Sequence, residues 1–282
     1  MDLNLYLQRL VESSLKEDIG TGDLTTNSIV PGEAASKGYI VARESGVVAG
    51  LFLAEMVFRW LDPSVEFRGK AHDGEKVDGG QVIAEVFGNA RAILTGERLA
   101  LNFLQHLSGI ATRTAELVEM VSGEKARIVD TRKTSPGLRM IEKYAVRVGG
   151  GYNHRFGLYD AVLIKDNHIK IAGGIEAAVE AARHNSPHTA KIEVEVEDLA
   201  GVREALAVRA DIIMLDNMDP ATMREAVALI DGRALVEASG GINEKNIKEI
   251  AATGVDYISV GALTHSVRSL DISLDIKEIK RR

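Results

Sequence analysis

The chain has 282 residues, enough for one large domain or two ordinary ones, and its 45% hydrophobic and 27% charged residues describe a globular protein. It holds no cysteine, which excludes disulfides, cysteine metal sites and thiol catalysis. The formal net charge is −7 with dispersed basic residues, which argues against a nucleic-acid footprint; an anionic ligand has to be met by a local cation cluster.

The N-terminal stretch "MDLNLYLQRLVESSLKED" is amphipathic and charged and carries no signal-peptide apolar region. No run approaches the roughly 18 apolar residues of a membrane span, so a cytoplasmic protein without membrane partners is expected. Up to about residue 107, strand-like pieces ("ASKGYIVARESG", "SVEFRGKA", "GGQVIAEVFG") mix with helical ones such as "LFLAEMVFRWL", and "HDGEKVDGG" supplies turn signals at 72–80. This pattern predicts a mixed α/β N-terminal domain over 1–107.

From 108 to 268 the character changes. Short apolar runs alternate with helix-length amphipathic segments, the pattern of repeated βα units. The runs are "ARIVD", "DAVLIK", "KIEVEVE", "DIIMLD", "ALVEAS" and "DYISVG". Helices are predicted over "GLRMIEKYAVRVG", "GIEAAVEAARHN", "DLAGVREALAVR", "DPATMREAVALID" and "NEKNIKEIAATG". A seventh strand has room in the irregular stretch 150–157, and the number suits a barrel or near-barrel better than a short doubly wound sheet.

The strand ends carry the chemistry. The first polar positions after or at each run are Arg132 and Lys133, then Lys165, Glu195, Asp216, Glu237 with Ser239, and Gly261. Parallel βα units bring all these ends to one face, which in barrels carries the active site. Arg132 and Lys133 are neighbours in "DTRKT", and neighbours on a strand point to opposite faces. They converge on one ligand only if the chain is already leaving the strand; otherwise each serves its own partner.

The turns "ASGGIN" and "SVGALTH" place Ser239, Gly240, Gly241 and Gly261 where barrels commonly bind phosphate, the first turn preceding the predicted helix "NEKNIKEI". Glu195 and Asp216 offer hard oxygens suited to magnesium that keeps most of its water. Together these features imply a phosphorylated, polyanionic substrate. Upstream, Gly149–Gly151 allow a sharp turn before His154 and Arg155. Arg155 matches a carboxylate with its planar fork. His154 beside an arginine is disfavoured as a cation and is read as one hydrogen-bond partner, with general base as the alternative.

Seven blocks, "EDIGTGDLTT", "ERLALNFLQHLSGIAT", "DTRKTSPGLR", "GGGYNHRFGLYDAVLIKDNH", "EVEVE", "IMLDN" and "EASGGIN" to "VGALTHS", resemble the quinolinate phosphoribosyltransferase family across nearly the whole chain and in the family's order. The resemblance implies a mixed α/β N-terminal domain followed by an open seven-stranded α/β barrel, with the tail 269–282 packing back on the first domain. It implies transfer of phosphoribosyl from phosphoribosyl pyrophosphate to quinolinate, giving nicotinate mononucleotide, pyrophosphate and carbon dioxide, with Mg2+ on Glu195 and Asp216. By the same resemblance Arg98, Arg132, His154 and Arg155 hold the quinolinate carboxylates. Lys133, Lys165, Glu195, Asp216, Ser239, Gly240, Gly241 and Gly261 serve the phosphoribosyl side, with Lys133, Lys165, Glu195 and Asp216 as the catalytic set.

A homodimer, or a hexamer of dimers, is implied, with Arg98 donated in trans. The rival readings are a relative acting on another pyridine or pyrimidine acid, a Schiff-base aldolase using Lys165, and a non-catalytic phosphate-binding regulator.

Overall fold

The structure, a computed structural model, describes residues 3–277. The chain opens with α1 (Leu3–Ile19), α2 (Leu24–Ile29), β1 (Ala35–Ala42), β2 (Gly46–Val47), α3 (Leu51–Leu61) and β3 (Glu66–Gly69). Next come β4 (Lys76–Val77), β5 (Val82–Asn89), the long α4 (Ala90–Met120), β6 (Arg127–Val129) and α5 (Arg139–Val148). Then follow β7 (Val162–Ile164), α6 (Asp166–Ala172), α7 (Ile175–Asn185), β8 (Ile192–Val196), α8 (Leu199–Ala207) and β9 (Ile212–Asp216). The last elements are α9 (Pro220–Ile230), β10 (Leu235–Ser239), α10 (Ile247–Ala251), β11 (Tyr257–Ser259), α11 (Ala262–His265) and β12 (Ile272–Lys277).

Two compact units result, Met1–Arg113 with Val267–Arg282, and Thr114–Ser266. Residues 1–2 and 278–282 lie outside the described residues, and with them the far end of the 269–282 tail. Position 108, where the sequence changes character, lies inside α4, and Ser108 there is fully buried. Among the described residues, no helix is long and apolar enough to cross a membrane.

The first unit is built on an antiparallel sheet of order β12-β1-β5-β3. α3 is apolar on most sides and buries Leu51, Leu53, Ala54, Val57 and Phe58, with Phe58 stacked on Phe67 at 6.3 Å. Asn89 starts α4: its side-chain oxygen accepts from Arg91 N at 2.9 Å and Ala92 N at 3.3 Å, satisfying amides a helix start leaves free. The C-terminal segment returns to this unit. Leu270 N donates to Gln105 O at 3.0 Å, and β12 pairs with β1 from Lys37↔Lys277 to Ala42↔Ile272. A Cβ on Gly109 would lie 2.2 Å from Arg268 O, so α4 needs glycine there to let the return segment close.

The second unit carries a parallel sheet of order β6-β11-β10-β9-β8-β7. These are the six apolar runs read from the sequence, and the runs are nearly continuous because helices cover the faces of such sheets. Asp219 caps α9 by accepting from Ala221 N at 2.9 Å and Thr222 N at 3.0 Å, with Pro220 in the first turn where its missing N–H costs nothing.

Two expectations are corrected. The stretch 150–157 gives one parallel bridge, Val129↔Tyr152, and no seventh strand among the described residues. Two residues beyond Tyr152, where a continuing ladder would place its next amide bond, His154 N donates to the Asp130 carboxylate at 2.9 Å instead of to a strand. The helix expected over 243–254 shrinks to α10. Asn243 Oδ1 accepts from Lys245 N at 3.0 Å and Asn246 Oδ1 from Asn243 N at 2.8 Å, local bonds that compete with the helix.

Candidate active site

β6 ends at Val129, so "DTRKT" has left the strand before its two cations, and Arg132 and Lys133 line one cavity of about 570 Å³. The same cavity collects Lys165, Glu195, Asp216, Ser239, Gly240 and Gly241 at or just after the ends of other strands, and His154 and Arg155 from the segment between α5 and β7. Gly261 stands beside it: a Cβ there would lie 3.1 Å from Lys133 Cδ. Arg98 lies exposed on α4 in the first unit, whereas these lining residues belong to the second.

Lys165 Nζ is 2.9 Å from Glu195 Oε2. Asp216 Oδ2 accepts from Asn217 Nδ2 at 2.7 Å, and Asn217 N donates to Ser239 O at 2.9 Å. Gly240 is held in the left-handed region at φ +91°, and a Cβ would sit 2.2 Å from Asn217 Oδ1, so only glycine fits this turn. The 239–241 turn is built on such glycine conformations and does not open directly into a helix, since the next one begins only at Ile247.

The cationic wall has two guanidiniums. Arg132 Nε is buried and, among the described residues, takes no hydrogen bond. Arg155 donates through NH1 to Ala161 O at 3.1 Å; burial first and the Arg132 charge second pull its pKa below the ordinary guanidinium value. Two mutually repelling guanidiniums and one unpartnered buried donor leave this wall with hydrogen-bonding capacity for an anion. Lys133 O accepts from Thr264 Oγ1 at 2.8 Å, which pins the "DTRKT" loop to α11.

In the layer beneath, the sequence pointed to His154 and Glu237 but not to Glu193 or to the meeting of the three. Glu193 and Glu237 are 3% and 4% exposed, and His154 Nε2 lies 3.1 Å from Glu193 Oε2 and 3.6 Å from Glu237 Oε1. His154 Nδ1 accepts from Arg155 N at 2.8 Å, which puts the ring proton on Nε2, facing the carboxylates. A metal ion among these three groups would need the Nε2 lone pair instead, so the geometry favours a shared proton over an ion.

Burial lowers the His154 pKa, while the Glu193 hydrogen bond and both carboxylates raise it by more; the amide aimed at Nδ1 opposes the cation. The Glu237 carboxyl is also pushed up, to about 8, by burial first and the Glu193 carboxylate second, so both His154 and Glu237 hold their protons more tightly in this buried layer than they would in water. The sequence signal for this layer was alternation: in "KIEVEVE" Glu193 and Glu195 share one strand face, so an inward Glu195 carries Glu193 with it.

A cation-lined cavity at the strand ends of a parallel α/β domain, preceded by a domain built on an antiparallel sheet, is the arrangement of a two-domain α/β enzyme class. The model for "Quinolinate phosphoribosyl transferase, C-terminal domain" matches residues 110–275, and that for its N-terminal domain matches 23–108. The chain belongs to the quinolinate phosphoribosyltransferase family. It is 50% identical to a probable nicotinate-nucleotide pyrophosphorylase [carboxylating] of Bacillus subtilis, over 97% of this chain and 94% of that one. A protein of the same name from Methanocaldococcus jannaschii is 47% identical over 96% and 97%. The solved nicotinate-nucleotide pyrophosphorylase from Francisella tularensis superposes with TM-score 0.94 at 43% identity, covering 98% of each chain. NadC from Streptococcus pyogenes gives 0.92 at 44%, covering 96% and 98%.

Proposed function

We propose that this chain is a nicotinate-nucleotide pyrophosphorylase (carboxylating): it transfers phosphoribosyl from phosphoribosyl pyrophosphate to quinolinate with decarboxylation, a step of NAD biosynthesis. The observation that carries the reading is the pair Arg132 and Arg155 in one cavity, with Arg132 Nε buried and unpartnered and each arginine opposing the other's charge. A dicarboxylate answers both guanidiniums. Family membership supports the same substrate.

In this reading Arg132, Arg155 and Arg98 orient the acid so that its ring nitrogen faces the anomeric carbon of the sugar. Holding two anionic substrates in line removes a barrier on the order of 7 to 11 kcal/mol in favourable cases. As the C–N bond forms and pyrophosphate leaves, Lys133, Lys165 and the amides of the 239–241 turn meet the charge growing on the leaving group. The quaternary nitrogen then accepts the electron pair of the adjacent C–C bond as carbon dioxide departs, and a proton takes the vacated ring position.

Glu195 and Asp216 fit magnesium, since they are hard carboxylates ending adjacent strands and lining one cavity. They would hold the ion, which when bound neutralises phosphate charge. We assign the protein to the cytoplasm and to a homodimer in which Arg98 reaches the partner's site; the expectation rests on the family.

An aldolase Lys165 would have to be neutral, whereas Lys165 is ion-paired to Glu195, so that reading loses its support. Mass spectrometry after incubation with quinolinate, phosphoribosyl pyrophosphate and Mg2+ tests the proposal: nicotinate mononucleotide accumulates if it holds, and its absence overturns it.

A further inference from the structure

Beneath the cationic wall lies a fully buried ion pair that the chemistry above does not use. Asp130 directly follows β6 and Lys143 lies on α5; both are 0% exposed, and Lys143 Nζ donates to Asp130 Oδ1. Asp130 Oδ1 also accepts from His154 N at 2.9 Å, and Lys143 Nζ also donates to His154 O at 3.0 Å. Both backbone groups of His154 therefore end on the pair. Asn153 closes the network by donating to Asp130 Oδ2 at 2.6 Å and to Lys143 O at 2.9 Å.

The pair joins the two segments that carry the guanidiniums. Asp130 stands two positions before Arg132, and His154 one before Arg155. One turn earlier on α5, Arg139 repeats the link, donating to Arg132 O at 3.3 Å and to Phe156 O at 3.0 Å.

A buried ion pair contributes little net stability compared with apolar side chains of similar volume, because desolvation offsets the attraction. What apolar side chains cannot supply is a fixed acceptor and a fixed donor for one residue's N–H and C=O. We infer that Asp130 and Lys143 are positioning residues for dicarboxylate recognition, acting through the His154 backbone to aim His154 and Arg155 into the cavity. The inference rests on the quinolinate reading given above.

The test separates fold from positioning. Lys143→Met alone leaves a buried carboxylate unpaired and lowers the melting temperature. The double variant Asp130→Leu/Lys143→Met removes both charges and recovers much of that loss. If the pair positions the site, the double variant still binds quinolinate about tenfold more weakly by calorimetry, with a matching rise in KM, while KM for phosphoribosyl pyrophosphate stays within about twofold. Wild-type quinolinate affinity in the stable double variant would show a fold element only and overturn the inference. Should that variant fail to fold, Asp130→Ala removes the acceptor for His154 N with a smaller change of shape, and unchanged quinolinate affinity there overturns the inference equally. Wild-type protein that binds no quinolinate refutes the substrate reading itself, an outcome distinct from both.

Discussion

Lys165 Nζ sits 2.9 Å from Glu195 Oε2, so the residue after β7 is tied to the end of β8 across the mouth of the site. The lysine is 48% exposed, and an exposed pair of this kind contributes about 0 to 1 kcal/mol to stability. Its placement is for chemistry. Lys165→Ala is predicted to lower kcat by roughly 10² to 10³ while the melting temperature barely changes. A rate within a few-fold of wild type would remove Lys165 from the transition state.

Arg132→Lys keeps the charge and loses the planar fork. KM for quinolinate is predicted to rise by about tenfold or more, because a lysine cannot make the paired bonds a carboxylate takes from arginine. Steady-state kinetics with the second substrate saturating gives the answer, and an unchanged specificity constant counts against the assignment.

The buried layer makes stability depend on pH. Glu237 has its folded pKa raised to about 8 from the ordinary carboxyl value of 4.5. Between those values the folded state holds a proton that the unfolded state has released, so stability is full below the lower value and is lost as pH rises through the upper one. The slope is on the order of 1 kcal/mol per pH unit at most. Glu237→Gln stays neutral throughout, so its melting temperature should fall less than that of wild type between pH 6 and about 8.5. Parallel curves for the two proteins would contradict the shared-proton layer.

Subunit mixing tests the donation of Arg98. Arg98→Ala and Lys165→Ala chains, each inactive alone, are co-refolded in equal amounts; random pairing makes about half of the dimers mixed. If Arg98 acts in trans, each mixed dimer has one site with both lesions and one intact, and activity returns to about a quarter of wild type. No recovery, with mixed dimers demonstrated, places Arg98 in cis.

Most of the second unit was legible because its strands are short apolar runs ended by polar residues, and the six observed strands fall on the six runs. The strand ends gave Arg132, Lys165, Glu195, Asp216 and Ser239 by position alone. What stayed hidden depends on side chains meeting across the chain. Lys143 reads as one more charge on an amphipathic helix, and only folding shows it fully buried against Asp130. The helix at α10 was expected, but its late start was not, because apolar periodicity in "NEKNIKEI" gives no sign that asparagine side chains take the amides of the first turn. The pairing of Glu193 with Glu237 joins β8 to β10, two strands 44 residues apart (237 minus 193) in sequence, and no local pattern reports it.

The central claim is that two guanidiniums in one cavity select a dicarboxylate whose second carboxylate is lost. Pyrophosphate and carbon dioxide release are measured in parallel with phosphoribosyl pyrophosphate and either quinolinate or nicotinate. Quinolinate should release the two products in equal amounts, and nicotinate should release neither. Equal turnover of both acids, or pyrophosphate from quinolinate without carbon dioxide, would contradict the account.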